Sequence, residues 1–296
     1  MLTFYLRFMA PWGWHQFHEY FAPRLLPGVE TLAPDHYCRT VSIDGSVGWI
    51  SVRPLPGQSV VELNISESLI DHAFTLTHRV RKMFDLDADP TAISRHLAAD
   101  PLLLPLVTAE PGLRLPCAFD PFEQAVRAVI GQQVTVKAAV TITRRLVERH
   151  GPTWLCAQGT GPATLFKLFP SPQIIASATL DSIGMPARRV ATLQRLASAV
   201  ANGALDLRID NGPGALIRRL CELPGIGPWT AEYIALRGFG EPDAFPATDL
   251  GLLKAPLWGA NGITPKELLI RSEQWRPWRA YAAVHIWRNY TNVAAG

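Results

Sequence analysis

Cysteine is scarce and scattered in this 296-residue chain: Cys38, Cys117, Cys156 and Cys221 stand dozens of residues apart, with no CxxC spacing and no histidines at ligand distance. That pattern argues against zinc and iron–sulfur sites and against a disulfide framework, and leaves four small buried hydrophobes of a reducing, cytoplasmic compartment. Charge of one sign is also lacking. A net charge of +3 tolerates a polyanionic partner but is too weak to hold one through charge alone. No stretch approaches 18 uncharged apolar residues, so no membrane span is expected. The opening run MLTFYLRFMAPWGW is interrupted by Arg7 and has no small-residue cleavage site after it, so it reads as a strand and not as a signal peptide. Internal repeats and low-complexity tracts are absent too. What is abundant is hydrophobic side chain, 48% of the chain, enough for two or three compact domains.

Residues 39 to 65 alternate as strands do: RTVSI, then Asp44-Gly45, then VGWISV, a Pro/Gly turn, and VVELNI. Asp-Gly between two such runs predicts a tight hairpin. A helix over Leu69 to Phe84 would cover the sheet, giving an α+β first domain. After a Pro-rich link from Leu103 to Pro116 the pattern becomes helical. Asp120 followed by Pro121 starts a long amphipathic run to His150. Further helices are predicted near 163–169, 172–178, 187–203, 213–221, 229–238, 249–257, 265–274 and 277–291, punctuated by Gly and Pro.

The most informative segment is Leu223-Pro224-Gly225-Ile226-Gly227-Pro228-Trp229-Thr230-Ala231, lying between two predicted helices. Two glycines one residue apart let the backbone turn tightly and approach a ligand, while the amides at the new helix's N-terminus face outward with partial positive charge. That makes a phosphate site from backbone; a ligand-free helix-to-helix turn is the plain alternative.

The run LPGIGPWTAEYIALRGFG followed by DAFPATDLGLLK resembles the helix-hairpin-helix DNA glycosylases, and within them the bacterial 3-methyladenine DNA glycosylase II family. The resemblance extends to PFEQAVRAVIGQQVTVKAA, IGMPARRVATLQRLA and WRPWRAYAAVHIW, covering residues 115 to 290 most fully, and to PWGWHQFHEYF and TLAPDHYCRT in the first domain. It implies an α+β fold class. A TATA-binding-protein-like antiparallel sheet with helices spans residues 1–115, and an all-α glycosylase region over 116–296 forms two subdomains flanking a cleft. It also implies double-stranded DNA with alkylated bases as the partner, and is compatible with a monomer.

By the same resemblance Asp249 is the catalytic carboxylate facing the extruded nucleotide. On local grounds alone it is a plain N-cap for LGLLKAPLW, a reading the surrounding match reverses. Family members that also cut the strand carry a lysine just after the hairpin, which attacks the sugar; Trp229 stands there instead. The iron–sulfur members need a C-terminal four-cysteine loop, whereas the last cysteine here is Cys221. A monofunctional enzyme that needs no cofactor is therefore expected, with Asp249 stabilising an oxocarbenium-like sugar. A cationic alkylated purine such as 3-methyladenine or 7-methylguanine, with hypoxanthine as a further candidate, would be held by aromatic faces. Trp229 and Tyr233 share a helix face at i and i+4, and Trp287 joins them by resemblance.

DNA contact is assigned to backbone near Gly225, Gly227 and Trp229, with Thr230 as a side-chain donor and Gln133 as the wedge that fills the gap left by the base. Gln133 departs from the leucine of the best-studied relatives. The resemblance further implies a structural Na⁺ or K⁺ held by the carbonyls of Cys221, Leu223 and Ile226. Two alternatives stand beside this reading: a hairpin DNA-binding protein without chemistry, and a same-fold glycosylase for oxidised or deaminated bases.

Overall fold

The structure, a computed structural model, describes residues 1–155, 161–209 and 212–294, with side chains described to residue 290. Cys156 lies outside the described residues. Five strands form one antiparallel sheet: β1 (Leu2–Arg7), β2 (Glu30–Leu32), β3 (Tyr37–Ile43), β4 (Ser46–Pro54) and β5 (Val60–Ile65), in the order β1-β5-β4-β3-β2. The predicted hairpin joins β3 to β4, with Ile43 opposite Ser46 and positive φ at both Asp44 (47°) and Gly45 (83°), as a twist-matched two-residue turn requires. One face of the sheet is covered by α1 (Trp14–Phe21) and α2 (Ala73–Met83), through Phe17, Phe21, Leu76, Val80 and Met83. The helix expected from residue 69 begins instead with a 3-10 segment over Glu67–His72.

Next come α3 (Pro90–Leu97) and α4 (Leu104–Ala109). The first is capped by Asp89 and was not anticipated; the second occupies the segment expected to be a link. Both pack on the C-terminal helices through Ile93, Leu97, Leu103 and Val107. The single run expected over 121–150 is two helices, α5 (Pro121–Ile130) and α6 (Val136–His150). The break falls at 131–135, where Thr135 caps α6 by accepting from the Ala138 amide. No helix forms at 163–169. Leu165 and Lys167 are drawn into isolated bridges with Gly28 and Thr153, so tertiary pairing overrides an apolar spacing that suits a helix.

The rest is helical: α7 (Pro172–Ser177), α8 (Ala187–Ala201), α9 (Pro213–Cys221), α10 (Pro228–Phe239), α11 (Leu250–Leu253), α12 (Pro265–Ser272) and α13 (Arg279–Ala294). The element expected over 249–257 is shorter than predicted, a single turn followed by a 3-10 segment at Pro256–Trp258. Two helical cores result. In one, Ala125, Leu146, Leu193 and Leu220 pack around Ala231 and Ile234. In the other, Trp275, Tyr281 and Ile286 pack around Ala235 and Leu236. Helix α10 therefore belongs to both cores, which explains why WTAEYIALRGF is so apolar, and it carries the residues just after the hairpin into the space between them.

Candidate active site

The hairpin runs from the end of α9 to Pro228 at the first position of α10. Gly225 has φ +98°, and a Cβ there would meet Thr192 Oγ1 of α8 at 2.0 Å, so both its conformation and its space demand glycine. Gly227 is the opposite case: a Cβ would meet nothing within 4 Å, leaving this backbone open at the surface. Among the described residues the amides of Gly225, Gly227 and Trp229 donate to no group of the chain, which is the condition for gripping an anion. Thr230 does not share that exposure. It is only 3% exposed, and its Oγ1 accepts from Gln132 Nε2 at 3.0 Å, so the side-chain DNA contact expected of it is corrected to an internal one. Gln133 sits exposed at the tip of the 131–135 loop with φ +56°.

Asp249 is both the N-cap and the centre of the site. Its Oδ1 accepts from the Gly251 and Leu252 amides at 2.9 and 3.2 Å and from Trp287 Nε1 at 2.8 Å, while Oδ2 accepts from Trp229 Nε1 at 2.9 Å. Capping and function are thus not alternatives, since the cap fixes the carboxylate's direction. Trp229 and Tyr233 stack at 5.3 Å with an interplanar angle of 7°, and Trp287 meets Tyr233 edge-on at 6.1 Å. The three expected aromatics and the carboxylate are therefore one cluster.

Three contributors escaped the sequence reading. Gly251 lets Trp287 reach the carboxylate, because a Cβ would lie 3.1 Å from both Asp249 Oδ1 and Trp287 Cδ1. Arg237, 4% exposed, lies 5.1 Å from the Trp287 ring centroid and 4.6 Å from that of Tyr20, with Nη1 donating to the Pro116 carbonyl at 2.9 Å. A lone arginine in an apolar helix was its only signal. Tyr20 comes from α1, some two hundred residues away in sequence, and its phenol lies close enough to that of Tyr233 for the two to influence each other's ionisation. Burial pushes Tyr233 up to about 12. Burial would raise Tyr20 as well, but Arg237 and Arg24 outweigh it and bring that phenol below its ordinary value.

Of the three carbonyls expected to hold a cation, that of Leu223 accepts from the Ile226 amide at 3.0 Å, whereas no backbone amide among the described residues bonds those of Cys221 or Ile226. Carbonyl oxygens left over in this way suit a hard cation.

An antiparallel sheet joined to two helical cores, with a glycine hairpin and an aromatic-ringed carboxylate between them, defines a helix-hairpin-helix architecture. The chain belongs to the HhH-GPD superfamily of base excision DNA repair proteins, whose model matches residues 126–279, and the AlkA N-terminal domain model matches residues 3–120. It is 33% identical to DNA-3-methyladenine glycosylase 2 of Escherichia coli over 95% of each chain. It is 38% identical, over 94% of its own length, to the "Probable bifunctional transcriptional activator/DNA repair enzyme AlkA" of Mycobacterium tuberculosis, of which it spans 55%. A 3-methyladenine DNA glycosylase from Archaeoglobus fulgidus shares the fold, with a TM-score of 0.82 at 19% identity, covering 99% of this chain and 100% of that one. Among the described residues no helix is long and apolar enough to cross a membrane.

Proposed function

We propose that the chain is a monofunctional DNA glycosylase. It flips a damaged purine, 3-methyladenine or 7-methylguanine with hypoxanthine as a further candidate, out of duplex DNA and hydrolyses its N-glycosidic bond. The observation that carries this reading is the Asp249 carboxylate, held by two indole N–H groups of the aromatic cluster and two amides of α11. Oδ1 is filled by three donors, but Oδ2 has one and keeps a lone pair for charge that develops nearby. As the bond to the base lengthens, positive charge grows on the sugar, and a fixed carboxylate in a partly dry site stabilises it. The same oxygen can orient the water that attacks C1′. Because Trp229 occupies the position of an amine nucleophile, no covalent sugar adduct forms.

The cationic base gives up hydration for the indole and phenol faces of Trp229, Tyr233 and Trp287, each contact contributing about 0.5–2 kcal/mol. The DNA backbone is gripped by the open amides of Gly225, Gly227 and Trp229, independent of base sequence. Gln133 fills the vacated gap. A monovalent cation would be held by the Cys221, Leu223 and Ile226 carbonyls, supplying fixed positive charge beneath the hairpin. The enzyme works as a monomer in the cytoplasm, with the α+β part over 1–115 bracing the glycosylase region over 116–296.

The test is release of 3-methyladenine from methylated duplex DNA by the wild type and by Asp249→Asn, with strand cleavage and borohydride trapping scored in parallel. Release should fall by about 10²–10³-fold in the variant, with no trapped complex in either protein. A wild type that binds DNA but releases no base would sink the proposal.

A further inference from the structure

The loop carrying Gln133 and the DNA-gripping hairpin are separate in sequence by about ninety residues, yet one side chain joins them. Gln132 Nε2 has two hydrogens and uses both: one goes to the Gly225 carbonyl at 2.9 Å, the other to Thr230 Oγ1 in the first turn of α10 at 3.0 Å. We infer that Gln132 is a positioning residue that locks the 131–135 loop to the hairpin, so that gripping the DNA backbone and filling the gap left by the base act as one rigid unit.

The stereochemistry of the peptide group shows why such a lock is needed. In a trans peptide the C=O and the following N–H point in opposite directions. The Gly225–Ile226 peptide is pinned at both ends, its carbonyl by Gln132 and its N–H by the Leu223 carbonyl at 3.0 Å. Glycine at φ +98° is the softest point of the turn, and without the Gln132 bond that plane can swing. Thr192 blocks one direction, since its side chain fills the space a Cβ would take. Gln132 closes the other. The neighbouring amides of Gly225 and Gly227 thereby keep a fixed aim, so less ordering remains to be done when DNA arrives.

The bond to Thr230 has a second consequence. Thr230 is buried in the core of α10, one residue from Trp229, whose indole holds Asp249. Gln132 thus fastens the exposed loop to the helix that carries the base-stacking face. Within the loop the Gln132 and Val134 amides donate to the Val129 and Gly131 carbonyls at 3.4 and 3.5 Å and Thr135 caps α6, but these bonds tie the loop only to α5, to itself and to α6, and Gln133 stays exposed in the left-handed region of φ. A displacement of the hairpin by the DNA backbone is accordingly passed to Gln133 through one amide group.

This inference rests on the glycosylase reading above, and the experiment separates the two. Gln132→Met keeps the length of the side chain and removes both hydrogen bonds; Thr230→Val removes one of the two acceptors. Binding to undamaged duplex should weaken roughly tenfold in Gln132→Met and about threefold in Thr230→Val, with cooperative thermal unfolding showing both variants folded at the assay temperature. The decisive measurement is a double-mutant cycle on single-turnover base release, pairing Gln132→Met with Gln133→Ala. Gln133→Ala should slow release about fivefold in the wild-type background and less than about twofold once Gln132 is methionine, because the loop is already uncoupled. Additive effects would overturn the lock while leaving the glycosylase reading intact. A wild type without base release would overturn the glycosylase reading, and an equilibrium cycle on DNA binding that is additive would overturn the lock independently of it.

Discussion

Across the seam of β2, β3 and α5, charges are paired two against two, whereas at the site the half-buried Asp249 and the buried Arg237 have no partner of opposite sign among the described residues. In the seam Arg39 bonds Glu123 at 2.8 Å and approaches Glu30 at 3.8 Å, and Arg127 bonds Glu123 at 2.6 Å and Glu30 at 3.0 Å. Tyr37 adds its hydroxyl to Glu30 at 2.6 Å. At the site, by contrast, Asp249 is held only by neutral N–H groups, and no carboxylate among the described residues pairs with Arg237, whose Nε has no partner at all. Buried charge is costly unless paired. The seam meets that cost internally and so has nothing left to offer a ligand. The site leaves it unmet, so the Asp249 carboxylate keeps its charge available to a group that comes from outside the chain.

The comparison breaks most forcefully at Glu123. Burial alone would push its carboxyl up, but Arg39 and Arg127 overcome burial and hold it at about 2. Its folded value lies below its ordinary one, so its contribution is complete above about pH 4.5 and is lost as pH falls towards 2. Glu123→Ala leaves two buried guanidiniums facing Glu30 alone and should destabilise by about 3–5 kcal/mol in urea unfolding at pH 7. A loss below about 1 kcal/mol would mean the seam is solvated and the contrast with the site false.

At the site the same kind of deletion should cost chemistry and spare the fold. Trp287→Phe keeps a ring beside Arg237 but removes the N–H that holds Asp249 Oδ1. Base release at saturating DNA should fall about tenfold, with unfolding shifted by less than about 1 kcal/mol. Arg237→Met should do less: release falls several-fold because the guanidinium no longer packs against the Trp287 and Tyr20 rings, while the protein melts only slightly below its parent, since the bond to the Pro116 carbonyl is the one hydrogen bond lost. If Arg237→Met were as destabilising as Glu123→Ala, Arg237 would be a structural charge and the distinction would collapse.

The difference between the regions also marks what the sequence reveals. Asp44-Gly45, the PGIG turn and Asp249 before LGLL are local signals, because each places a residue in a backbone conformation or cap that its own chemistry favours, and the structure has all three. The break of 121–150 after Ile130 carries no proline, and its geometry depends on Gln132 reaching a hairpin far along the chain. Gly251 could be read as one more helix residue until Trp287 is seen 3.1 Å from the space above it. Tyr20 meets Tyr233 only because the sheet domain docks on the helical cores. The four seam charges lie on β2, β3 and α5, so their pairing is a product of topology.

A third way of burying a charged group, discharging it, sharpens the contrast with the smallest effect. His285 is 4% exposed in α13, and burial, with Arg288 nearby, lowers it to about 3. The folded protein keeps this ring neutral, so between about pH 3 and 6.5 the unfolded chain binds the extra proton. The resulting stability is present above the ordinary histidine value and drains away as pH falls through it. Asp85 runs the other way. Burial raises it to about 6, so the folded state gains relative stability from it as pH falls over the same interval. Wild-type curves mix the two, and only the difference from His285→Gln isolates the ring. Between pH 7.5 and 6.0 the wild type should lose roughly 0.8 kcal/mol more than the variant in urea unfolding. Equal losses would mean that His285 takes up its proton as readily in the folded core as in the unfolded chain, and a smaller loss in the wild type would place it with the paired charges of the seam.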